Sequence, residues 1–125
     1  ANLKNITLIA IGGTIWPASQ TIIGPTAIAM IKNYYVDKYF FSCQGFDTDW
    51  GISDNNHDIA EIKKTMLEHS QQHYVLVDSD KLNKRSLVRF AELSDIHHVL
   101  TDDNIDQSLV QSLKDKNKQV SIVSS

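Results

Sequence analysis

The stretch YVLVDSDK, from Tyr74 to Lys81, passes from a run of apolar side chains directly into a run of polar ones. Four consecutive apolar residues, aromatic and β-branched types among them, are typical of a short strand that is buried on both faces, as in a parallel sheet. Ligands of open parallel sheets bind beyond the carboxyl ends of the strands, where this polar run lies. The stretch therefore predicts a buried strand followed by a candidate binding segment.

Three other apolar runs also end in distinctive polar or glycine-containing segments. They are Ile6 to Ile11, ending at Gly12-Gly13-Thr14; Lys38 to Cys43, ending at Gln44-Gly45-Phe46-Asp47; and His98 to Leu100, ending at Thr101-Asp102-Asp103. A further apolar segment, Gln119 to Val123, predicts a last strand. Because parallel strands present their carboxyl ends at one edge of a sheet, we expect these segments to lie together.

Helix signals separate the predicted strands. Gly24-Pro25 predicts a helix start, because proline is tolerated at the first helical position. Asp58 with Glu61 resembles a capping box, and Asp106 is a suitable cap for the following helix, with Ile105 and Val110 placed as a hydrophobic staple.

Two segments carry weaker signals. Thr48 to His57 is polar and predicts irregular structure, and Arg85 to Asp95 leaves an extended segment and a helical turn both open. Strands alternating with helices still predict an α/β fold with a mainly parallel sheet and flanking helices. We expect one domain over residues 1–125.

Length, charge and cysteine content exclude several classes of protein. The chain has 125 residues, a net charge of -3 and one cysteine. It has no excess of basic side chains for gripping a phosphate backbone, so we expect no specific DNA binding by this chain alone. A single cysteine excludes an intrachain disulfide and favours a cytoplasmic location. No apolar run is long enough for a membrane span. From the start at Ala1 we expect an excised fragment or a processed product.

The predicted strand ends suit a small phosphorylated or polyhydroxylated ligand. Glycine lets the backbone approach an anion closely, Thr14 and Ser79 offer hydroxyl groups, and Lys81 is a point charge suited to a phosphate. Each feature also has a simpler interpretation: Gly12-Gly13 as a turn, and Lys81 as a solvated surface charge.

Other reactive side chains favour neither catalysis nor metal binding. A helix end and a strand start are predicted between His69 and His73, which makes a shared zinc ion improbable. Cys43 lies in an apolar strand without a cationic motif nearby and is expected in the core. No G-x-S-x-G motif is present. We expect no catalytic residue, no metal ion and no cofactor.

Five segments, taken in order, resemble the effector-sensing domain of the DeoR family of bacterial transcription regulators. The segments are IGGTIWPASQTIIGP (Ile11 to Pro25), FFSCQGFDTDWGIS (Phe40 to Ser53), IAEIKKTMLEHS (Ile59 to Ser70), YVLVDSDKLNKRS (Tyr74 to Ser86) and VLTDDNID (Val99 to Asp106). No single segment is decisive, but five in this order make a specific match.

The resemblance implies the fold of ribose-5-phosphate isomerases and CoA transferases and a phosphorylated sugar as effector. It also implies that operator DNA is bound only through an N-terminal winged helix-turn-helix, which this chain lacks together with the first Gly-Thr-Thr loop of the sensor domain. Family members are typically repressors of sugar-catabolism operons. We expect a homo-oligomer with no membrane partner.

The resemblance also maps the family's binding motifs onto this chain. The Gly-Gly turn corresponds to Gly12 and Gly13, the Gly-x-Asp motif to Gly45 and Asp47, and the helix lysine to Lys63. The Asp-Ser-x-Lys motif corresponds to Asp78, Ser79 and Lys81.

Two positions depart from the related isomerases. Gln44 stands where those enzymes have an aspartate, and Ile59 where they and many DeoR members have a glutamate. Isoleucine cannot move the proton that the isomerase glutamate moves, and Glu61 lies about 200° further round the predicted helix. We therefore expect a sensor and no enzyme. A sugar-phosphate isomerase-like enzyme and an oligomerisation domain with a degenerate pocket remain the alternatives.

Overall fold

The computed structural model describes Thr7, residues 14–16 and residues 21–124. The predicted strand Ile6 to Ile11 and the Gly12-Gly13 turn lie outside these residues, except for Thr7, which is exposed. The helices of the described part are α1 (Pro25–Ile31), α2 (His57–Glu68) and α3 (Gln107–Asp115). Its strands are β1 (Thr14–Trp16), β2 (Thr21–Ile23), β3 (Val36–Ser42), β4 (Gly45–Asp47), β5 (Gly51–Asp54), β6 (Ser70–Leu76), β7 (Val88–Ala91), β8 (His98–Asp102) and β9 (Gln119–Val123).

A parallel sheet with the strand order β3-β6-β8-β9 forms the centre of the described structure. Its register places Phe41 beside Val75 and Val75 beside Val99, and all three side chains are buried. They share one hydrophobic core with residues of α2 and α3, among them Leu67 and Leu113. The predicted α/β class with a mainly parallel sheet and flanking helices is confirmed.

A second, antiparallel sheet with the order β4-β5-β7 was not predicted. The chain leaves the parallel sheet after β3 to form β4 and β5, returns through α2, and leaves again after β6 to form β7. Where the sequence predicted a polar end at Gln44 to Asp47, the structure has the short strand β4. A parallel bridge between Phe46 and Leu82 joins β4 to the segment after β6. The second sheet is therefore connected to the carboxyl ends of two parallel strands, β3 and β6.

The prediction of irregular structure over Thr48 to His57 is wrong for its central part, which is the fully buried strand β5, and confirmed for Thr48 to Trp50, Asn55 and Asn56. Its polar residues Ser53 and Asp54 are buried because distant segments supply their partners. The backbone N–H of Ser86 donates to Ser53 Oγ at 2.8 Å, and Lys63 Nζ donates to Asp54 Oδ2 at 2.6 Å. Partners 33 and 9 residues away leave no mark in the local pattern.

The helix caps were predicted with mixed success. Pro25 begins α1, and Asp106 Oδ1 accepts from the backbone N–H of Ser108 at 3.0 Å, so both predictions are confirmed. The capping box at Asp58 is wrong: Asn56 caps α2, with its Oδ1 accepting from the N–H of Ile59 at 3.0 Å. Asp58 instead lies in the first turn, where its negative charge interacts favourably with the helix dipole.

The remaining boundaries differ in small ways. The undecided segment Arg85 to Asp95 contains β7 and then a 3₁₀ turn, Leu93–Asp95. Strand β6 begins at Ser70, four residues before the predicted Tyr74, because its polar first half has no apolar run to mark it. No helix in the described part combines the length and apolar character needed to cross a membrane.

Candidate functional site

A cavity of about 520 Å³ lies at the carboxyl ends of the four parallel strands. We call it the strand-end cleft. Its volume is in the range of pockets that hold small molecules. Three of the four predicted strand ends contribute to it, which confirms that they converge. It is lined by Ser42, Cys43, Gln44, Leu76, Val77, Asp78, Lys81, Leu100, Thr101, Asp102 and Val123.

The fourth predicted strand end, Gly12-Gly13-Thr14, is not brought into this cleft by the described residues. Gly12 and Gly13 lie outside them. Thr14 is the first residue of β1 and pairs with Ile23 of β2. The predicted roles of Gly12, Gly13 and Thr14 in binding therefore stay predictions.

Lys81 provides the positive charge of the strand-end cleft. It ends a 3₁₀ turn, Ser79–Lys81, that is closed by a hydrogen bond of 2.9 Å from its own N–H to the carbonyl of Asp78. The side chain is half-buried, and no carboxylate of the described residues lies within 4.0 Å of its Nζ. Its ammonium group is consequently available to an anionic ligand.

Asp102 fixes this turn to the end of β8. Its Oδ2 accepts from the N–H of Ser79 at 2.8 Å, and its Oδ1 accepts from the N–H of Asn104 at 3.0 Å. Hydrogen bonding by the Ser79 side chain first, and then by the backbone N–H groups of Ser79 and Asn104, holds the pKa of the Asp102 carboxyl below its usual range. Asp102 was predicted to lie at a strand end but was not among the predicted binding residues. Its place immediately after an apolar run was the available signal.

Cys43 and Thr101 form the buried part of the lining. Burial raises the pKa of the Cys43 thiol to about 12, and the charge of Lys63 opposes this rise only in part. The thiol is therefore uncharged at neutral pH, and its predicted place in the core is confirmed. Thr101 is 5% exposed, and its Oγ1 has no hydrogen-bond partner among the described residues.

Lys63, which the family resemblance placed in the binding site, does not line the cleft. Its Nζ donates to Asp54 Oδ2 at 2.6 Å and to the carbonyl of Ser42 at 2.8 Å. The side chains of Lys63 and Asp54 are only 15% and 4% exposed. We call this arrangement the sheet junction, because it joins α2 to β3 of the parallel sheet and β5 of the antiparallel one.

Gly45 does not line the cleft either and is closely packed against neighbouring residues. A Cβ atom at Gly45 would lie 2.6 Å from Ser53 Oγ and 2.8 Å from both the Lys84 carbonyl and the Ser86 nitrogen. Real Cβ atoms do not approach other atoms so closely, so the packing of β4 on its neighbours requires glycine here.

Asp47 organises the turn between β4 and β5. Its Oδ1 accepts from the N–H groups of Asp49 at 2.8 Å and Trp50 at 3.0 Å, and its Oδ2 accepts from Arg85 Nε at 2.8 Å. These contacts, the one from Arg85 foremost, hold the pKa of the Asp47 carboxyl below its usual range. The structure thus places Asp78 and Lys81 in the lining of the cleft, with Ser79 between them in the chain but not itself in the lining. Gly45, Asp47 and Lys63 also lie outside that lining.

Ile59, the position that the family resemblance aligned with an isomerase glutamate, lies away from the cleft. Ile59 is a buried residue in the first turn of α2 and does not line the strand-end cleft, and neither does the exposed Glu61. Glu61 lies instead beside His57 and Asp58, with which its ligand atoms form a group spanning less than 4.8 Å. All three side chains are exposed, and exposed acidic groups often cluster without a metal ion.

Comparison with known proteins gives one consistent result. The chain is 37% identical over 98% of its length to the "Uncharacterized HTH-type transcriptional regulator YulB" of Bacillus subtilis (strain 168), of which it covers 48%. It is 31% identical over 86% of its length to the "L-fucose operon activator" of Haemophilus influenzae, of which it covers 43%. It is 27% identical over 96% of its length to the "Putative aga operon transcriptional repressor" of Escherichia coli O157:H7, of which it covers 45%.

The chain thus spans less than half the length of these curated relatives. The family described as the DeoR C-terminal sensor domain matches residues 1–103, which is most of the chain. With its cleft at the ends of a parallel sheet and a sensor-domain match of this extent, the chain belongs to the DeoR C-terminal sensor domain family.

Proposed function

We propose that the chain senses a phosphorylated sugar, which binds in the strand-end cleft and thereby regulates operator binding by the intact protein. The observation that carries the proposal is the position of Lys81. Its side chain is half-buried, lies at the carboxyl ends of parallel strands, and pairs with no carboxylate of the described residues. An unpaired ammonium group in a cavity favours an anion. Asp78 and Ser79, from the same family motif, complete this segment.

The rest of the lining suits the sugar part of such an effector. The carboxylates of Asp78 and Asp102 can accept hydrogen bonds from sugar hydroxyl groups. Leu76 and Val123 offer apolar surface to the C–H face of a sugar ring. The names of two relatives, an L-fucose operon activator and an aga operon repressor, agree with regulation by a sugar.

The regulatory consequence follows from linkage. A ligand that binds one state of the protein more tightly shifts the equilibrium toward that state. We propose that the effector does this to the state that binds operator DNA, which the intact protein contacts through a part other than this chain. Of the two senses of regulation named among the relatives, we propose repression of a sugar-catabolism operon. A reporter gene assayed with and without the intact regulator distinguishes it from activation.

Calorimetric titration of the intact protein with ribose 5-phosphate, glucose 6-phosphate and fructose 1-phosphate tests the binding site. Replacement of Lys81 by Ala removes a charge-assisted contact, and we expect a loss of about 1.5 to 3 kcal/mol in binding of the tightest of these probes. The free energy of unfolding should change by about 0.5 kcal/mol or less, since no described ion pair is lost.

Lys84→Ala is the matched control. Lys84 is exposed, lies three residues along the chain and does not line the cleft, so its loss should leave affinity unchanged. Equal affinities of the Lys81→Ala variant and the wild type would show that Lys81 is a surface charge and would overturn the proposed site.

We further propose that the bound sugar phosphate is not turned over. The family position of the isomerase carboxylate holds Ile59, and loss of a positioned general base typically costs 10²-fold to 10⁴-fold in rate. Incubation of the intact protein with ribose 5-phosphate in deuterated water should give no exchange beside the carbonyl by NMR. Exchange above the buffer blank that disappears on mutating Glu61 or Asp47 would favour an enzyme.

A further inference from the structure

Thr101 is a polar residue of the strand-end cleft whose hydroxyl group lacks a hydrogen-bond partner among the described residues. It is 5% exposed, and its Oγ1 has no hydrogen-bond partner among the described residues. Buried side-chain oxygens and nitrogens in native proteins are nearly always hydrogen-bonded, so each exception calls for a physical explanation. The neighbouring Asp102 shows the contrast, since both of its oxygens accept hydrogen bonds from backbone N–H groups.

Among the described residues, the surroundings of Thr101 offer no structural reason for a hydroxyl group. Val99, two positions earlier on the same face of β8, is apolar and fully buried. The adjacent Val77, whose N–H donates to the carbonyl of Leu100, is also apolar and buried. Valine at position 101 would fill a similar volume without burying an unpaired oxygen.

We propose that Thr101 is a ligand-contacting and specificity-determining residue, whose hydroxyl forms a hydrogen bond to an oxygen of the bound sugar phosphate. This inference rests on the function proposed above. Thr101 lines the same cavity as Lys81, and a hydroxyl can donate to a phosphate oxygen or exchange hydrogen bonds with a sugar hydroxyl. A site built to pair a polar group of its ligand discriminates against analogues that lack that group, because its own group then stays unpaired.

Two variants of the intact protein separate this role from a structural one. Thr101→Val keeps the shape and removes the hydroxyl, while Thr101→Ser keeps the hydroxyl and removes a methyl group. We expect Thr101→Val to fold with an equilibrium constant at least equal to that of the wild type, and to bind the tightest of the three sugar phosphates about tenfold more weakly. Thr101→Ser should show the reverse: a lower folding equilibrium constant and an affinity within about twofold of the wild type.

Titration with inorganic phosphate distinguishes the two sources of the ligand oxygen. An equal loss for inorganic phosphate and sugar phosphate in Thr101→Val assigns the contact to the phosphate group. A loss for the sugar phosphate alone assigns it to a sugar hydroxyl. Both results support the inference.

Three results would overturn it. If Thr101→Val binds the sugar phosphate as tightly as the wild type, the contact does not exist, while the proposed function stands. If Thr101→Val folds with a clearly smaller equilibrium constant, the hydroxyl is hydrogen-bonded in the free protein and is structural. If the wild type binds none of the sugar phosphates, the proposed function fails, and the inference about Thr101 fails with it.

Discussion

The sheet junction and the strand-end cleft both place polar side chains around a lysine, but among the described residues only the lysine of the sheet junction pairs with a carboxylate. At the junction, Lys63 donates to the carboxylate of Asp54 and to the carbonyl of Ser42. In the cleft, Lys81 has no described carboxylate within 4.0 Å, and the hydroxyl of Thr101 has no described partner. The two regions adjoin, because Ser42 lines the cleft and its carbonyl accepts the hydrogen bond from Lys63.

The contrast separates polar groups that hold the fold together from polar groups that are free to bind. A buried charge whose partner is present stabilises the native arrangement only as a pair, and loss of either partner is costly. An unpaired charge at the rim of a cavity contributes little to folding and keeps its full capacity for a ligand. The contrast thus predicts opposite effects for the same type of substitution at the two lysines.

The largest effect is expected at the sheet junction. Lys63→Met leaves the carboxylate of Asp54 buried without its cation, and we expect the free energy of unfolding to fall by about 3 to 5 kcal/mol in urea denaturation. Lys64→Met, at the exposed neighbouring position, should change it by no more than about 0.5 kcal/mol. The double replacement of Asp54 by Asn and Lys63 by Met should recover part of the loss. Similar stabilities for the Lys63 and Lys64 variants would remove the contrast.

A smaller effect is expected at Gly45, which tests whether the family motif outside the cleft has a structural role. A methyl group there would meet Ser53 Oγ and two backbone atoms within 2.8 Å. Overpacking of this kind typically costs about 1 to 3 kcal/mol. We therefore expect Gly45→Ala to lower the free energy of unfolding by that amount and to lower the denaturation midpoint accordingly. Sugar-phosphate affinity of the folded variant should stay at the wild-type value. A large loss of affinity with unchanged stability would return Gly45 to the binding site.

The smallest effect is expected at Asp47, whose partner Arg85 is more than half exposed. An ion pair so open to solvent contributes about 1 kcal/mol or less. Because the pKa of Asp47 is lower in the folded protein than the usual value near 3.9, its contribution is present above about pH 4 and is lost as the pH falls through the folded-state pKa. Denaturation curves from pH 7 to pH 3 should therefore show a weaker pH dependence for Asp47→Asn. An unchanged dependence would assign the acid sensitivity to other carboxyls.

The sequence revealed those parts of the fold whose signals are local. Proline at the start of α1, the Asp106 cap and the apolar run of β9 each act within a few residues, and each was predicted correctly. Strand β5 was missed because Ser53 and Asp54 are polar residues buried by partners from other segments. A residue pattern cannot show that a distant side chain will pair with a local one.

The same limit applies to the candidate site. The topology rule for parallel sheets located the polar ends after β6 and β8, because it depends only on strand direction. The family resemblance grouped Gly45, Asp47 and Lys63 with Lys81, although only Lys81 of these four lines the cleft, because a shared motif does not show where its residues lie in space. Thr101 left no signal beyond its place at a strand end, because only the packed structure shows that its hydroxyl is buried and unpaired.

The pairing of the parallel strands also bears on how fast the chain reaches its native state. Val36 of β3 pairs with Ser70 of β6, and His98 of β8 pairs with Gln119 of β9, whereas Asp47 and Gly51 meet across a short turn. Hairpins form in microseconds. Strands that are distant along the chain pair more slowly, because closing the long loop between them costs conformational entropy. Contacts of this separation place folding in the millisecond-to-second range, which stopped-flow refolding measures directly. The sequence separations therefore predict that the β4–β5 hairpin can form before the parallel sheet, whose strand ends frame the cleft, is complete.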